Sequence, residues 1–117
     1  MTQMFDQCSS ITSMDFSHLD TSNVTDMASM FNCYSLTTLN VSGWNTSNVT
    51  DMSFMFKSCS KLTTLDLSGW NTSNVTNMYD MFKGCTSLKT IRMVGCSEEI
   101  INKIRSVMPS GCTIVTE

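Results

Sequence analysis

Basic residues are missing from the first half of this chain. Residues 1–56 carry Asp6, Asp15, Asp20, Asp26 and Asp51 but no lysine or arginine, and all seven basic residues lie from Lys57 onward. With a formal net charge of -3, the chain lacks the clustered cations that neutralise phosphates, which argues against nucleic acid as a partner. It has no apolar run of the roughly 18 residues that a spanning helix needs, so no insertion into a membrane is expected. The opening residues, MTQMFDQCSS, lack the charged and apolar regions of a secretion signal. There is a single histidine, His18, and no second group beside it to make a nucleophile and base, so an enzyme is not expected. Six cysteines include no C-x-x-C pair, which argues against zinc; no metal and no cofactor is expected.

What is present is a repeat. Met-Phe pairs recur at Met4-Phe5, Met30-Phe31, Met55-Phe56 and Met81-Phe82, spaced by 26, 25 and 26 residues. At 117 residues, with 41% hydrophobic and 15% charged content, the chain suits one globular domain with a core. Each copy opens on an L-x-x-L-x-L pattern, namely Ile11, Met14 and Phe16; Leu36, Leu39 and Val41; Leu62, Leu65 and Leu67; and Leu88, Ile91 and Met93. Its alternation predicts a short strand buried on one face, one per copy, stacked in parallel. A turn follows, with Gly43 and Gly69 and the turn formers Asp20, Asn45 and Asn71. The period then changes. Val49, Met52, Met55 and Phe56 fall at helical spacing, as do Val24 to Phe31 and Val75 to Phe82, so a two-turn helix capped by Ser47 or Asn48 is expected after each turn. The second copy is one residue short between Phe31 and Leu36, in a loop.

Residues 96–117 break the pattern. Ser97 is a candidate N-cap, Glu98 and Glu99 suit the positive end of a helix, and Ile100, Ile101, Ile104, Val107 and Met108 form one apolar face. Pro109-Ser110-Gly111 stops the helix, and the β-branched segment after Cys112 predicts a last strand pairing with Leu88–Met93 by a right-handed crossover.

The unit L-x-x-L-x-L, turn, TSNVT-x-M-x-x-MF-x-x-C resembles the BspA-type leucine-rich repeat in its 26-residue bacterial surface-protein form, over residues 4 to about 95. The resemblance implies an α/β fold: a right-handed leucine-rich-repeat solenoid with parallel strands on one face and short helices on the other. The expected division is 1–95, four repeats of which the first is divergent and uncapped, and 96–117, a helix-strand cap, since end coils need covering. The family further implies a secreted or cell-surface protein used in adhesion to a host or neighbouring cell. Residue 4 already sits inside a repeat, so the chain is expected to be cut from a longer array, and the missing signal then says little about compartment.

Candidate site residues come from the outward strand positions and the turns. Thr38, Asn40, Thr64, Asp66, Thr90 and Arg92 present a small polar surface, and Trp44 and Trp70 sit at equivalent positions just after adjacent strands. Two stacked indoles are either a platform for a sugar ring or partner side chain, or packing at the corner of the coil. Cys8, Cys33, Cys59 and Cys85 form one column of expected core thiols. Cys96 and Cys112 flank the last helix and are a candidate disulfide in an oxidising compartment. The oxygen columns Asp20, Asn45, Asn71 and Asp15, Asn40, Asp66 read as turn formers or a solvated face before they read as calcium ligands. Asn-x-Ser/Thr matches at Asn23, Asn48 and Asn74, and also at Asn40, Asn45 and Asn71, matter only for a eukaryotic secreted chain.

The leading expectation is a non-enzymatic bacterial surface module that presents a polar parallel-sheet face to a host protein or glycan. The alternative is a structural spacer or stalk with no ligand of its own. Ice binding through the threonine columns Thr37–Thr63 and Thr38–Thr64 is weakened by Lys89 and Arg92. Self-association through the uncapped apolar end, around Met4, Phe5, Ile11, Met14 and Phe16, is also expected.

Overall fold

The computed structural model describes residues 11–117. Met4, Phe5 and Cys8, with their part in the first repeat and its apolar end, lie outside the described residues. The fold is mixed α/β, with five three-residue strands and one helix among the described residues. The strands are β1 (Ser13–Asp15), β2 (Thr38–Asn40), β3 (Thr64–Asp66), β4 (Thr90–Arg92) and β5 (Thr113–Val115), and the helix is α1 (Glu98–Arg105). All pairings are parallel, in a two-stranded sheet β1-β2 and a three-stranded sheet β3-β4-β5.

The four strand motifs lie where the L-x-x-L-x-L pattern puts them. Met14, Leu39, Leu65 and Ile91 are the buried central residues, and their neighbours face outward. Register places Ser13 beside Thr38 and Thr64 beside Thr90, so equivalent positions of neighbouring repeats stand side by side. The last strand pairs with β4, Thr90 beside Thr113.

The short helices expected after each turn do not form; α1 is the only helix among the described residues. Their place is taken by a second line of contacts between repeats. Met27, Ser29 and Phe31 donate their N–H groups to the carbonyls of Asp51, Ser53 and Met55 at 2.8–2.9 Å. Met52, Phe54 and Phe56 do the same to Asn77, Tyr79 and Met81. A main chain that spends alternate N–H groups sideways has none to give to the residue four before it, so no α-helix closes. The equivalent residues Ser29, Phe54 and Asp80 also have φ of 56°, 55° and 50°, which no right-handed helix accommodates. Spacing by three arises instead because the chain turns a corner and brings every third residue back to the core.

Those corners are hydrogen-bonded Asx-turns, three in each full repeat. Asp15, Asn40 and Asp66 accept from the N–H two residues on at 2.9–3.1 Å, and Asp20, Asn45 and Asn71 do so at 2.9–3.0 Å. Asp26, Asp51 and Asn77 make the third set at 2.9–3.1 Å. The one-residue contraction of the second copy falls between Phe31 and Cys33. It removes the position that Ser58 and Gly84 occupy with φ of 64° and 82°.

After the strand of the fourth repeat the chain leaves the repeat pattern and forms α1. Ser97 caps the helix by accepting from the Ile100 N–H, Glu98 and Glu99 occupy the first turn, and Ile101 and Ile104 are buried. Lys103 donates to the carbonyls of Thr72 and Val75 at 2.8 and 3.3 Å, groups that no further repeat covers.

Gly84 tests the ladder directly. Its φ is +82°, and an added Cβ would stand 3.1 Å from the Ser58 Cα, which is main chain and cannot swing aside. Gly84→Ala is expected to cost about 1–2 kcal/mol in urea unfolding, the order of the left-handed penalty plus the displaced contact.

Candidate functional site

Thr38, Asn40, Thr64 and Asp66 are brought together, as expected, on the outer face of the strands. With Ser13, Asp15 and Ser42 they line a shallow groove of about 400 Å³ over β1, β2 and β3. Strand pairing lapses between β2 and β3, which belong to different sheets. Across that seam the repeats are held by side chains and turns: Trp70 Nε1–H donates to the Val41 carbonyl at 3.2 Å, and the Thr46 hydroxyl donates to Asn71 O at 3.0 Å and accepts from Asn71 N at 2.9 Å.

Thr90 and Arg92 continue the two columns on β4 but do not line the groove. The Arg92 guanidinium approaches the Asp66 carboxylate at 3.9 Å on an exposed surface, a contact worth little by itself. Arg92 also replaces the Asx residue of the earlier repeats, and the Val94 N–H goes to the Ser68 hydroxyl of the neighbouring repeat instead, at 2.9 Å.

The oxygens of this face are already committed to turns. The Ser17 N–H and hydroxyl both donate to one Asp15 oxygen, and Ser42 does the same to Asn40. Those bonds, the N–H first, hold the Asp15 carboxyl below the usual carboxylate range; the Ser22 hydroxyl and N–H do the same for Asp20. The columns considered as calcium ligands are therefore the chain's corner posts.

Trp44 and Trp70 are not a surface platform. They are 2% and 1% exposed, stacked at 6.2 Å with planes 3° apart, and each indole N–H donates to a carbonyl of the preceding repeat, Phe16 and Val41 respectively. They lie beside a column of rings, Phe31, Phe56 and Phe82, spaced by 5.7 and 5.6 Å. A large ring at a corner buries its apolar body inward while its one donor finds a main-chain acceptor.

Cys96 and Cys112 are free thiols, not a disulfide, because each belongs to a different column. Cys96 stands where Trp44 and Trp70 stand in earlier repeats, and its Sγ lies 3.7 Å from the Leu67 carbonyl, taking over the indole's partner. Cys112, also buried, extends the other column near Cys85. In that column the Cys59 and Cys85 thiols donate to the carbonyls of Phe31 and Phe56 at 2.8 and 2.9 Å. Burial pushes Cys59 up to about 12 and Cys85 to about 11. The signal for Cys112 was in the sequence: it follows Cys85 by 27 residues, near the repeat length.

Two outcomes follow from the buried columns. Trp70→Ala is expected to destabilise by about 3–5 kcal/mol in denaturant unfolding, as for other large core truncations. Because the two thiols ionise less readily folded than unfolded, their contribution is intact below the ordinary thiol value near 9.0 and falls as pH climbs toward 11 and 12. The expected slope is about 1.4 kcal/mol per pH unit per thiol, and it should diminish in a Cys59→Ala/Cys85→Ala variant, measured as unfolding free energy against pH.

Among the described residues no helix is long and apolar enough to cross a membrane. No curated protein and no solved structure matches the chain. A family model described as "Mycoplasma protein of unknown function, DUF285" matches residues 1–99, which takes in the four Met-Phe pairs and the strands β1 to β4. The chain belongs to that family.

Proposed function

We propose that the chain is a leucine-rich-repeat solenoid of the BspA type, closed by residues 96–117, that serves as a non-enzymatic binding module on a bacterial cell surface. The observation that carries this reading is the outer strand face. Ser13, Thr38, Thr64 and Thr90 stand in one column and Asp15, Asn40, Asp66 and Arg92 in the next, a regular polar surface with a groove across its first three strands. Such a face offers hydroxyls and amides at a fixed spacing of about 5 Å, suited to an extended hydroxyl-rich glycan or a protein strand rather than to a buried small molecule. Burial of both indoles removes the aromatic anchor, so affinity rests on many weak polar contacts.

One observation favours the spacer reading. The Phe and Cys columns run from repeat to repeat, with Trp44 and Trp70 stacked beside them in the two middle ones. The acidic and amide groups of the face are used by its own turns. A unit of this kind lengthens a stalk by simple repetition.

The test is a screen of the purified chain against a glycan array and a panel of extracellular-matrix and mucin proteins, beside a Thr38→Arg/Thr64→Arg variant that fills the groove without touching a turn. A ligand lost in that variant supports the binding module and places its site on the strands. Absence of any ligand, or binding indifferent to the two arginines, overturns the strand-face reading and leaves the spacer.

A further inference from the structure

The lateral ladder runs one way, and at the fourth repeat it ends on donors alone. In the third repeat Met52, Phe54, Phe56 and Ser58 give their N–H groups to Asn77, Tyr79, Met81 and Lys83 at 2.9, 2.9, 2.9 and 2.6 Å. The equivalent residues of the fourth repeat are Met78, Asp80, Phe82 and Gly84. Their N–H groups make no hydrogen bond among the described residues, while their carbonyls already accept from the N–H groups of Met81, Lys83, Cys85 and Thr86. The strand side of this repeat is covered by β5, and the Thr72–Val75 corner by Lys103 of α1. On the remaining side Asp80, Phe82 and Gly84 line an open groove of about 790 Å³ that shares no residue with the groove over the strands. Val107, Met108 and Pro109 also line it and are only half-buried, and Tyr79 beside them is 65% exposed.

We propose that this end of the stack is a docking site for an extended segment of another polypeptide, held by its carbonyls and bearing apolar side chains. The donor row selects that chemistry. Unpaired N–H groups at every second residue call for acceptors at the same alternate steps, and an extended main chain presents one carbonyl to a given side about every 6.7 Å. The inner junctions show the row at work: Met27, Ser29 and Phe31 take the carbonyls of Asp51, Ser53 and Met55, and the third repeat takes those of Asn77 to Lys83, in both cases from polypeptide running parallel. Because the row offers donors alone, the incoming segment keeps its own N–H groups for its turns or for water, as Tyr79, Met81 and Lys83 keep theirs. Val107, Met108 and Tyr79 then receive its apolar side chains, which a hydroxyl-covered glycan does not supply. The site is separate from the strand face and does not depend on any ligand there.

The probe is a synthetic peptide of residues 75–84, VTNMYDMFKG, the segment whose carbonyls the third repeat holds. It is titrated into the full chain in reductant and followed by amide NMR. In the free chain the N–H groups of Met78, Asp80, Phe82 and Gly84 are expected to exchange with solvent faster than those of Met52, Phe54, Phe56 and Ser58. Added peptide is expected to shift the first four and slow their exchange. Esters in place of the peptide bonds after Tyr79 and Met81 of the probe weaken two acceptors and are expected to lower affinity roughly tenfold. Thr86→Arg/Ser110→Arg in the chain, which fills the groove at exposed positions and keeps the wild-type far-UV spectrum, is expected to abolish the shifts. The proposal is overturned by no saturable shift at millimolar peptide, by four amides already as protected as their counterparts, or by an ester probe or groove variant that binds like the original. Shifts of the same amides with chain concentration alone would assign the groove to a second copy and overturn it too.

Discussion

The structure depends on where the main-chain N–H groups of residues 24–33, 49–59 and 75–85 are spent. They are shared between turns inside a repeat and carbonyls of the next repeat, and almost none goes to the residue four before it. Buried main-chain groups must be paired somewhere. Once these are paired sideways, each repeat requires its neighbour, and helices are excluded from the body of the fold. The strand side adds only three residues per repeat and lapses between β2 and β3, so the ladder opposite it and the side chains at the seam keep the two sheets together.

Sideways pairing brings equivalent residues into columns, and the side chains follow. Phenylalanine rings stack at 5.6–5.7 Å with planes within 9°, and the tryptophans at 6.2 Å with planes 3° apart. Each buried donor reaches one repeat back for a carbonyl: indole N–H to Phe16 and Val41, thiol to Phe31 and Phe56. Threonine hydroxyls reach one repeat forward, Thr21 to Asn45 and Thr46 to Asn71. Thr72 shows what the end of a column costs. Its hydroxyl is buried without a hydrogen-bond partner, whereas Thr21 and Thr46 each find the carbonyl of a following repeat.

The same logic separates the two kinds of surface. Along the strands, side chains outside the core are small and polar, and their oxygens hold the corners; at the end of the fourth repeat the main chain itself is exposed, with its donors in a row. The first is a face that any number of repeats would extend, while the second exists only where repetition stops. The closing segment resolves this partly: Cys96 replaces a tryptophan and Cys112 continues the thiols, so residues 96–117 complete two columns while leaving the groove beside Phe82 open.

Repetition, the strand positions and the closing helix and strand were legible in the sequence, because they rest on burial alternation and capping, which are local. The strand-face residues Thr38, Asn40, Thr64 and Asp66 were legible for the same reason. Spacing by three was not decisive: Val49, Met52 and Met55 suit a helix and a corner-turning chain equally, and only the destination of the N–H groups tells them apart. Trp44 and Trp70 could be placed at a corner but not inside or outside it, since that depends on the carbonyl one repeat away that accepts the indole proton. Cys96 and Cys112 flank one helix in sequence, yet in space they complete two different columns. The sequence by itself determined the repeat and its inward-facing residues, because those are set by period; the tertiary structure alone decided which neighbour each donor finds, because that partner lies some 26 residues away and exists only once the repeats have met.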